Sequence, residues 1–226
     1  NLRSGTFVTV NIKSYAHKGK AFGGVLLDDN ESPNKPAVLM AAPSGWQRAL
    51  ADLKKQKVTS ISFAQREDMQ ACERWLEEEG SPFVQALRPL ATEPLHPDLT
   101  NIVDEILLPR VPLSSGGNVM FEETEALIAI DVNGGDSGDA LAVNIRAAQV
   151  IARWIRLRNL AGIIVVDMMK MRQRTDTDKL LTKMKELTVD DPAGVEVFGM
   201  TKLGLLEMTR TRRGPSLADI MREADA

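Results

Sequence analysis

Hydrophobic and polar residues alternate in a way that divides the second half of the chain into short elements. Two apolar runs of strand length, 126–130 and 163–166, flank a long segment, 137–162, in which hydrophobic residues recur every three or four positions. The runs predict β-strands, the second of them covered on both faces, and the recurrence predicts an amphipathic helix with one side facing the core. Such a strand, helix and strand most economically form a crossover that makes the two strands parallel.

The same reasoning predicts the remaining elements. Strands are expected at 5–12 and 25–27 around a basic turn, at 58–63 and 83–90, in a hairpin over 110–133, and at 195–201 and 205–213. Helices are expected at 44–56, 67–80 and 97–109, after Thr175, and from Ser216. Ser44 has the position of an N-cap, and Thr175 with Asp178 has the spacing of a capping box. This order predicts an α/β fold with a mixed sheet that contains parallel strands joined by crossover helices.

Composition narrows the classes of protein that fit. The 226 residues, 43% of them hydrophobic, are enough for a proper core, and a formal net charge of −3 gives no general attraction to a polyanion. No apolar run approaches the roughly 18–20 residues that span a bilayer, so no membrane segment is expected. Cys72 is the single cysteine, which excludes an internal disulfide and suits a reducing, cytoplasmic location.

Two aspartates stand out as candidates for chemistry. Asp131 follows the run "LIAI", and Asp167 follows "IIVV". Parallel strands bring their carboxyl ends to one edge of a sheet, where open α/β sheets bind ligands. Two carboxylates meeting there would repel each other unless a cation lay between them, and Mg²⁺ prefers oxygen ligands. Asn133 lies on the same face as Asp131 if the strand continues, and could hold that carboxylate or a substrate oxygen.

A plainer interpretation stands beside the metal hypothesis. Asp and Asn often end strands because their side chains bond nearby backbone N–H groups, so "DVNGG" alone indicates a turn. If Asp131 and Asp167 pointed into separate regions, the metal hypothesis would fail.

Basic residues supply a second candidate feature. Positive charge gathers near the predicted strand ends and in the basic turn of the first hairpin, where a phosphate backbone would be attracted; solvated surface charge is the alternative. The candidate RNA-binding residues are Lys18, Lys20, Lys170, Arg172, Lys202, Arg210 and Arg212.

Other chemistries are disfavoured. His17 and His96 have no His or Cys partner at metal-ligand spacing, and Ser114 and Ser115 lack the strand-to-helix setting of a hydrolase nucleophile.

The motifs of the second half resemble the catalytic region of the ribonuclease E/G family. The matching segments are "SGG", "TEAL", "IDVN", "IARWIRLRNLAGIIVVD" and "GLLEMTR", in the family's order and approximate spacing. "LADLKKQKVTSISF" is similar to the segment just upstream. "GTFVTVNIKSYAHKGKA" is similar to the strand and Lys-Gly turn where the family's S1 domain rejoins the catalytic fold. The resemblance therefore implies a β-hairpin remnant over 1–30 and a catalytic-type domain over 31–226, with a further boundary considered near residue 110.

The resemblance also implies an activity and a site. It implies RNase H-like and DNase I-like elements, and hydrolysis of single-stranded RNA at Mg²⁺ to 5′-phosphate and 3′-hydroxyl ends. Asp131 and Asp167 match the family's metal-binding aspartates, and Asn133 matches the asparagine that supports the first. A homodimer stays open, whereas no zinc-linked tetramer is expected, because a Cys-x-x-Cys link is absent from the sequence.

Three positions depart from the family's pattern. Asp136 stands where the family usually has Lys or Arg, Arg146 where Glu is usual, and Lys170 where Asp is usual. These reversals leave the aspartates intact but change the surrounding field. They keep two rivals open: a non-catalytic RNA-binding or RNA-processing accessory protein with the same fold, and a metal-dependent phosphoesterase for a smaller substrate.

Overall fold

The computed structural model describes residues 9–14, 23–27, 43–53, 57–90, 99–114 and 116–224. Within these residues the chain forms β-strands, α-helices and one short 3₁₀ helix, Pro82–Ala86. The strands are β1 Thr9–Ser14, β2 Gly23–Leu27, β3 Arg110–Pro112, β4 Asn118–Glu123, β5 Ile128–Asn133, β6 Gly162–Asp167, β7 Val195–Met200 and β8 Leu205–Arg210. The helices are α1 Gly45–Asp52, α2 Arg66–Glu78, α3 Leu99–Leu107, α4 Ala140–Leu157, α5 Arg174–Thr188 and α6 Leu217–Ala224.

Contacts divide the chain into two compact units, one formed by Asn1–Ser32 with Val103–Ala226 and the other by Pro33–Ile102. The division of the sequence into domains at 1–30 and 31–226 stays a prediction. In the first unit, β1 and β2 pair as the expected antiparallel hairpin. No helix among the described residues is long and apolar enough to cross a bilayer.

A six-stranded mixed sheet in the order β3-β4-β5-β6-β8-β7 organises the first unit. β5 and β6 are parallel neighbours, and the other neighbouring pairs are antiparallel. This confirms the α/β fold and the crossover through α4. The crossover forms because α4 carries an apolar side that packs on the sheet, with Ala148, Ile151 and Ile155 all fully buried.

One face of the sheet packs against α4 and α5, and the other face is largely open. Ile164 and Val166 of β6 are buried in the core cluster that includes both helices, whereas Ile163 is 53% exposed. The prediction that this strand is covered on both faces is therefore wrong. A continuous apolar run does not distinguish one covered face from two, because the contacts that decide it come from other elements.

The first residues of α1 and α5 differ in how they are capped. Ser44 caps α1 as predicted: its hydroxyl accepts from the Gln47 N–H, and the Gln47 side chain accepts from the Ser44 N–H. The predicted capping box at Thr175 is wrong, because α5 begins one residue earlier, at Arg174, with Gln173 as an N-cap that makes no side-chain cap bond.

The second unit has its own small core, in which Leu50, Cys72 and Leu76 are buried and aromatic side chains pack around them. The strands predicted at 58–63 and 83–90 are wrong. In the first segment, Ile61 makes only an isolated bridge to Leu87. In the second segment, residues 83–86 belong to the 3₁₀ helix Pro82–Ala86. Most of their apolar residues are half-buried and pack against this core instead of lying in a sheet, so hydrophobicity alone predicts the wrong element.

Candidate active site at the carboxyl edge of the parallel strands

Asp131 and Asp167 are direct neighbours across the parallel pair β5 and β6. Adjacent strands lie about 4.8 Å apart, and side chains of paired residues leave the same face. The preceding pairs fix which face this is, because Ile130 and its partner Val166 are both buried in the core. Both aspartates therefore lie on the open face, where they are exposed. The structure brings together the two carboxylates that are 36 positions apart in the sequence.

Asn133 completes this group. Its side-chain Nδ2 donates a hydrogen bond of 2.6 Å to Asp131 Oδ2. The contact forms because residues two apart on a strand share a face. Asp131 is thereby oriented by its own strand, and no Lys or Arg side chain among the described residues pairs with either aspartate. The catalytic and metal-binding roles of the three residues stay predictions.

The turn of the β3-β4 hairpin supports the backbone of Asn133. Gly117 has φ +82°, and a Cβ added there would overlap the carbonyl oxygen of Asn133. Gly116 has a similar φ of +84°, but a Cβ added there would meet nothing within 4 Å. The glycine pair of the "SGG" motif thus has different roles at its two positions, and only Gly117 is required for a close approach.

We expect Gly117→Ala to destabilise the fold by about 1–3 kcal/mol and to displace Asn133, because the variant adds steric overlap to a strained φ. Gly116→Ala is the matched control, since it carries the same strain without the overlap. Urea unfolding measures the stability, and NMR shifts of the Asn133 side-chain amide report its displacement. Equal losses in both variants, with no shift of Asn133, would contradict this assignment.

Basic residues lie at both ends of the strands: at the end that carries the aspartates, which we call the aspartate edge, and at the opposite end. Lys170 and Arg172 follow β6 and are exposed. Lys202 is exposed in the turn from β7 to β8, three residues before Leu205, which pairs with Asp167. These three residues belong to the edge that carries the aspartates. Lys18 and Lys20 lie outside the described residues.

Arg210 and Arg212 do not lie at the aspartate edge. β8 runs antiparallel to β6, so Arg210 pairs with Gly162 at the opposite end of the strand, about 16 Å from Asp167. The prediction that Arg210 contacts RNA is corrected by the structure, because its side chain is 4% exposed and its Nε lies 3.0 Å from Asp191 Oδ2. Arg212 is half-buried, and its Nη2 donates to the carbonyl oxygen of Ala161 at 3.4 Å. The sequence pattern places both residues within the predicted strand 205–213 but does not give that strand's direction.

Two further asparagines near the aspartates are not among the residues that the sequence predicts for the site. Asn144 of α4 is fully buried and bonds the backbone of Met169, two residues after Asp167. Asn118 pairs with Asn133 across β4 and β5, and its side-chain oxygen is buried without a hydrogen-bond partner within the described part of the chain. A signal for Asn144 was present, because an amide interrupts the apolar side of α4 four residues before Ala148.

The mixed sheet and the in-register aspartates together define an α/β protein with an acidic candidate site at the edge of a parallel strand pair. A sequence model described as the Ribonuclease E/G family matches residues 24–213. The chain belongs to this family.

Individual relatives agree with the family assignment. The chain is similar to a "Ribonuclease E/G-like protein, chloroplastic" of Arabidopsis thaliana, with 41% identity over 138 residues, 56% of this chain and 14% of the relative. It is 42% identical over 125 residues to a "Ribonuclease E" of Nostoc sp., 52% of this chain and 18% of that protein. A "Ribonuclease G" of Escherichia coli is 34% identical over 131 residues, 55% of this chain and 27% of that protein. The matches thus span less than a third of each relative's length.

Proposed function

We propose that this chain carries the catalytic site of a Mg²⁺-dependent endoribonuclease, which hydrolyses single-stranded RNA in RNA processing or turnover. The observation that carries the proposal is the register of Asp131 with Asp167 on the open face of the sheet. Family membership supports RNA as the substrate, since the similar proteins are named ribonucleases.

The donor set suits Mg²⁺. Within the described ranges, no group of three or more His, Cys, Asp and Glu side chains is arranged to hold a metal ion. Mg²⁺ does not require such a group, because it keeps several waters and is usually bound through one or two carboxylates together with substrate phosphates. Asp131 and Asp167 would hold it, each through a carboxylate oxygen. When bound, Mg²⁺ supplies an activated water and neutralises charge on the phosphate.

The residues around the site would then have separate roles in cleavage. Asn133 orients the Asp131 carboxylate through its 2.6 Å hydrogen bond. Lys170, Arg172 and Lys202 attract the phosphate backbone to the aspartate edge. Water adds to phosphorus while the bond from phosphorus to the 3′ oxygen breaks, and that oxygen takes up the proton that the water loses. The products are a 5′-phosphate and a 3′-hydroxyl.

The two alternative functions are less well supported than the endoribonuclease. A non-catalytic accessory protein would not require two paired carboxylates with a supporting amide on one exposed face. A phosphoesterase for a small substrate would not require the exposed basic residues around the site. A homodimer, RNA contacts by Lys18 and Lys20, and a cytoplasmic location remain proposals.

The test is incubation of end-labelled, unstructured RNA with the full chain in Mg²⁺ or in EDTA. We expect internal cleavage in Mg²⁺, none in EDTA, and products that a 5′-phosphate-dependent exonuclease degrades. Salt-sensitive RNA binding without any cleavage would instead support the accessory protein. Cleavage that persists in EDTA would exclude the metal.

A further inference from the structure

The side-chain amide of Asn144 forms hydrogen bonds with the backbone of Met169, two residues after Asp167. The Met169 N–H donates to Asn144 Oδ1 at 2.9 Å, and Asn144 Nδ2 donates to the Met169 carbonyl oxygen at 2.8 Å. Asn144 is 0% exposed and lies on the side of α4 that packs into the core. The Asn144 amide thus satisfies both the N–H and the carbonyl oxygen of Met169, a residue that follows the end of β6 and has no strand partner of its own in the sheet.

The side chain of Met169 reaches the other strand of the site. A Cβ added at Gly134 would overlap Met169 Sδ, and Val143 Cγ1 lies 3.6 Å from the same point. Gly134 directly follows Asn133, so the thioether lies against the turn that leaves β5. Met169 therefore joins the segment after Asp167 to the segment after Asn133.

Burying an amide in α4 is costly unless it has a specific partner. An apolar residue at position 144 would serve the core at least as well, and asparagine is a poor residue for a helix interior. Only a side chain with both a donor and an acceptor can bind the two backbone groups of Met169 at once.

We propose that Asn144 is a positioning residue for the paired carboxylates. Through Met169 and Gly134, the helix sets the separation of Asp167 from Asp131 and Asn133. This inference rests on the proposed Mg²⁺ site. It adds the residue that holds Asp167 of β6 in place relative to Asp131 and Asn133 of β5. Groups that orient metal ligands in this indirect way typically change metal affinity or activity by about 10–100-fold when they are removed.

The first experiment compares Asn144→Ala and Asn144→Asp with the control Ile151→Val. Asn144→Asp keeps an acceptor for the Met169 N–H but sets a carboxylate oxygen against the Met169 carbonyl. Ile151 is equally buried in α4, about two turns after Asn144, and its variant perturbs the same core without changing the amide that bonds Met169. Metal affinity is measured by Mg²⁺ calorimetry and by Mn²⁺ electron paramagnetic resonance, which need no RNA, and hydrogen exchange reports the Met169 N–H.

We expect about 10–100-fold weaker metal binding in both Asn144 variants, faster exchange at Met169, and wild-type affinity in Ile151→Val. Wild-type metal affinity in a folded Asn144→Ala chain would overturn the inference while leaving the proposed function standing. Absence of metal binding in the wild type would overturn both.

A second pair of variants covers the case in which neither Asn144 variant folds. Gly134→Ala forces the Met169 side chain to move, and Met169→Ala in the same chain removes the overlap. We expect Gly134→Ala to weaken metal binding and the double variant to recover most of the loss. Equal affinity in wild type and Gly134→Ala would contradict the coupling between the two segments.

Discussion

Replacement of either Asp131 or Asp167 by asparagine is expected to lower Mg²⁺-dependent RNA cleavage by about 10²–10³-fold or more while leaving the fold intact. The variants keep the size of the side chain and remove the charge that would hold the cation. Both residues are exposed and carry no part of the core, so their loss should not unfold the sheet. Single-turnover cleavage rates measure the effect, and circular dichroism with thermal unfolding checks the fold.

A matched control comes from a carboxylate outside the site. Asp178 is exposed on α5, in the helical layer, and Asp178→Asn changes the net charge by the same amount. We expect its cleavage rate to match that of the wild type. If Asp178→Asn lost activity as strongly as the strand variants, the effect would be a general change of charge and the carboxylate pair would lose its assigned role.

Removal of Asp191 is expected to cost the largest amount of stability, about 3–5 kcal/mol, because it leaves the buried Arg210 guanidinium without its counter-ion. Arg210 and Asp191 are 4% and 1% exposed at their side chains, and Arg210 Nε contacts both carboxylate oxygens at 3.0–3.1 Å. Arg210 Nη1 also donates to the Asn159 side chain and to the Leu160 carbonyl oxygen, each at 3.0 Å. Urea unfolding of Asp191→Ala against the wild type measures the loss.

Two comparisons test the cause of this loss. The double variant Asp191→Leu/Arg210→Met removes both charges and should recover part of the stability, though not the bond from the Ala193 N–H to Asp191. Lys183→Ala breaks an exposed ion pair with Glu186 and should change stability by about 0.5 kcal/mol or less. A loss for Asp191→Ala no larger than that of Lys183→Ala would show that the buried pair does not matter for folding.

Prediction from the sequence succeeded where a local pattern carried enough information. Ser44 at the start of α1 and the apolar spacing of α4 are signals contained within a few turns of chain, and the structure has both features. It failed at residues 58–63 and 83–90, which have the composition of strands but find no partner strands among the described residues. Pairing is decided by elements that are distant in sequence, so composition cannot settle it.

The candidate site shows the same division. Its three members could be chosen from the sequence because aspartates at the ends of apolar runs, joined by one crossover helix, belong to one sheet edge by chain geometry. The part played by Asn144 could not be predicted, since its partner is the backbone of Met169, 25 positions away.

The α/β class, the crossover that makes β5 and β6 parallel, and the identity of the paired carboxylates could all be derived from the order of the residues. Each follows from the handedness and periodicity of the chain, which act locally. Which face of the sheet is open, and which arginines belong to the core, follows instead from packing between elements that are distant in sequence. Arg210 and Lys202 look alike in sequence, but the antiparallel course of β8 places Arg210 beside Asp191 in the interior and Lys202 at the aspartate edge.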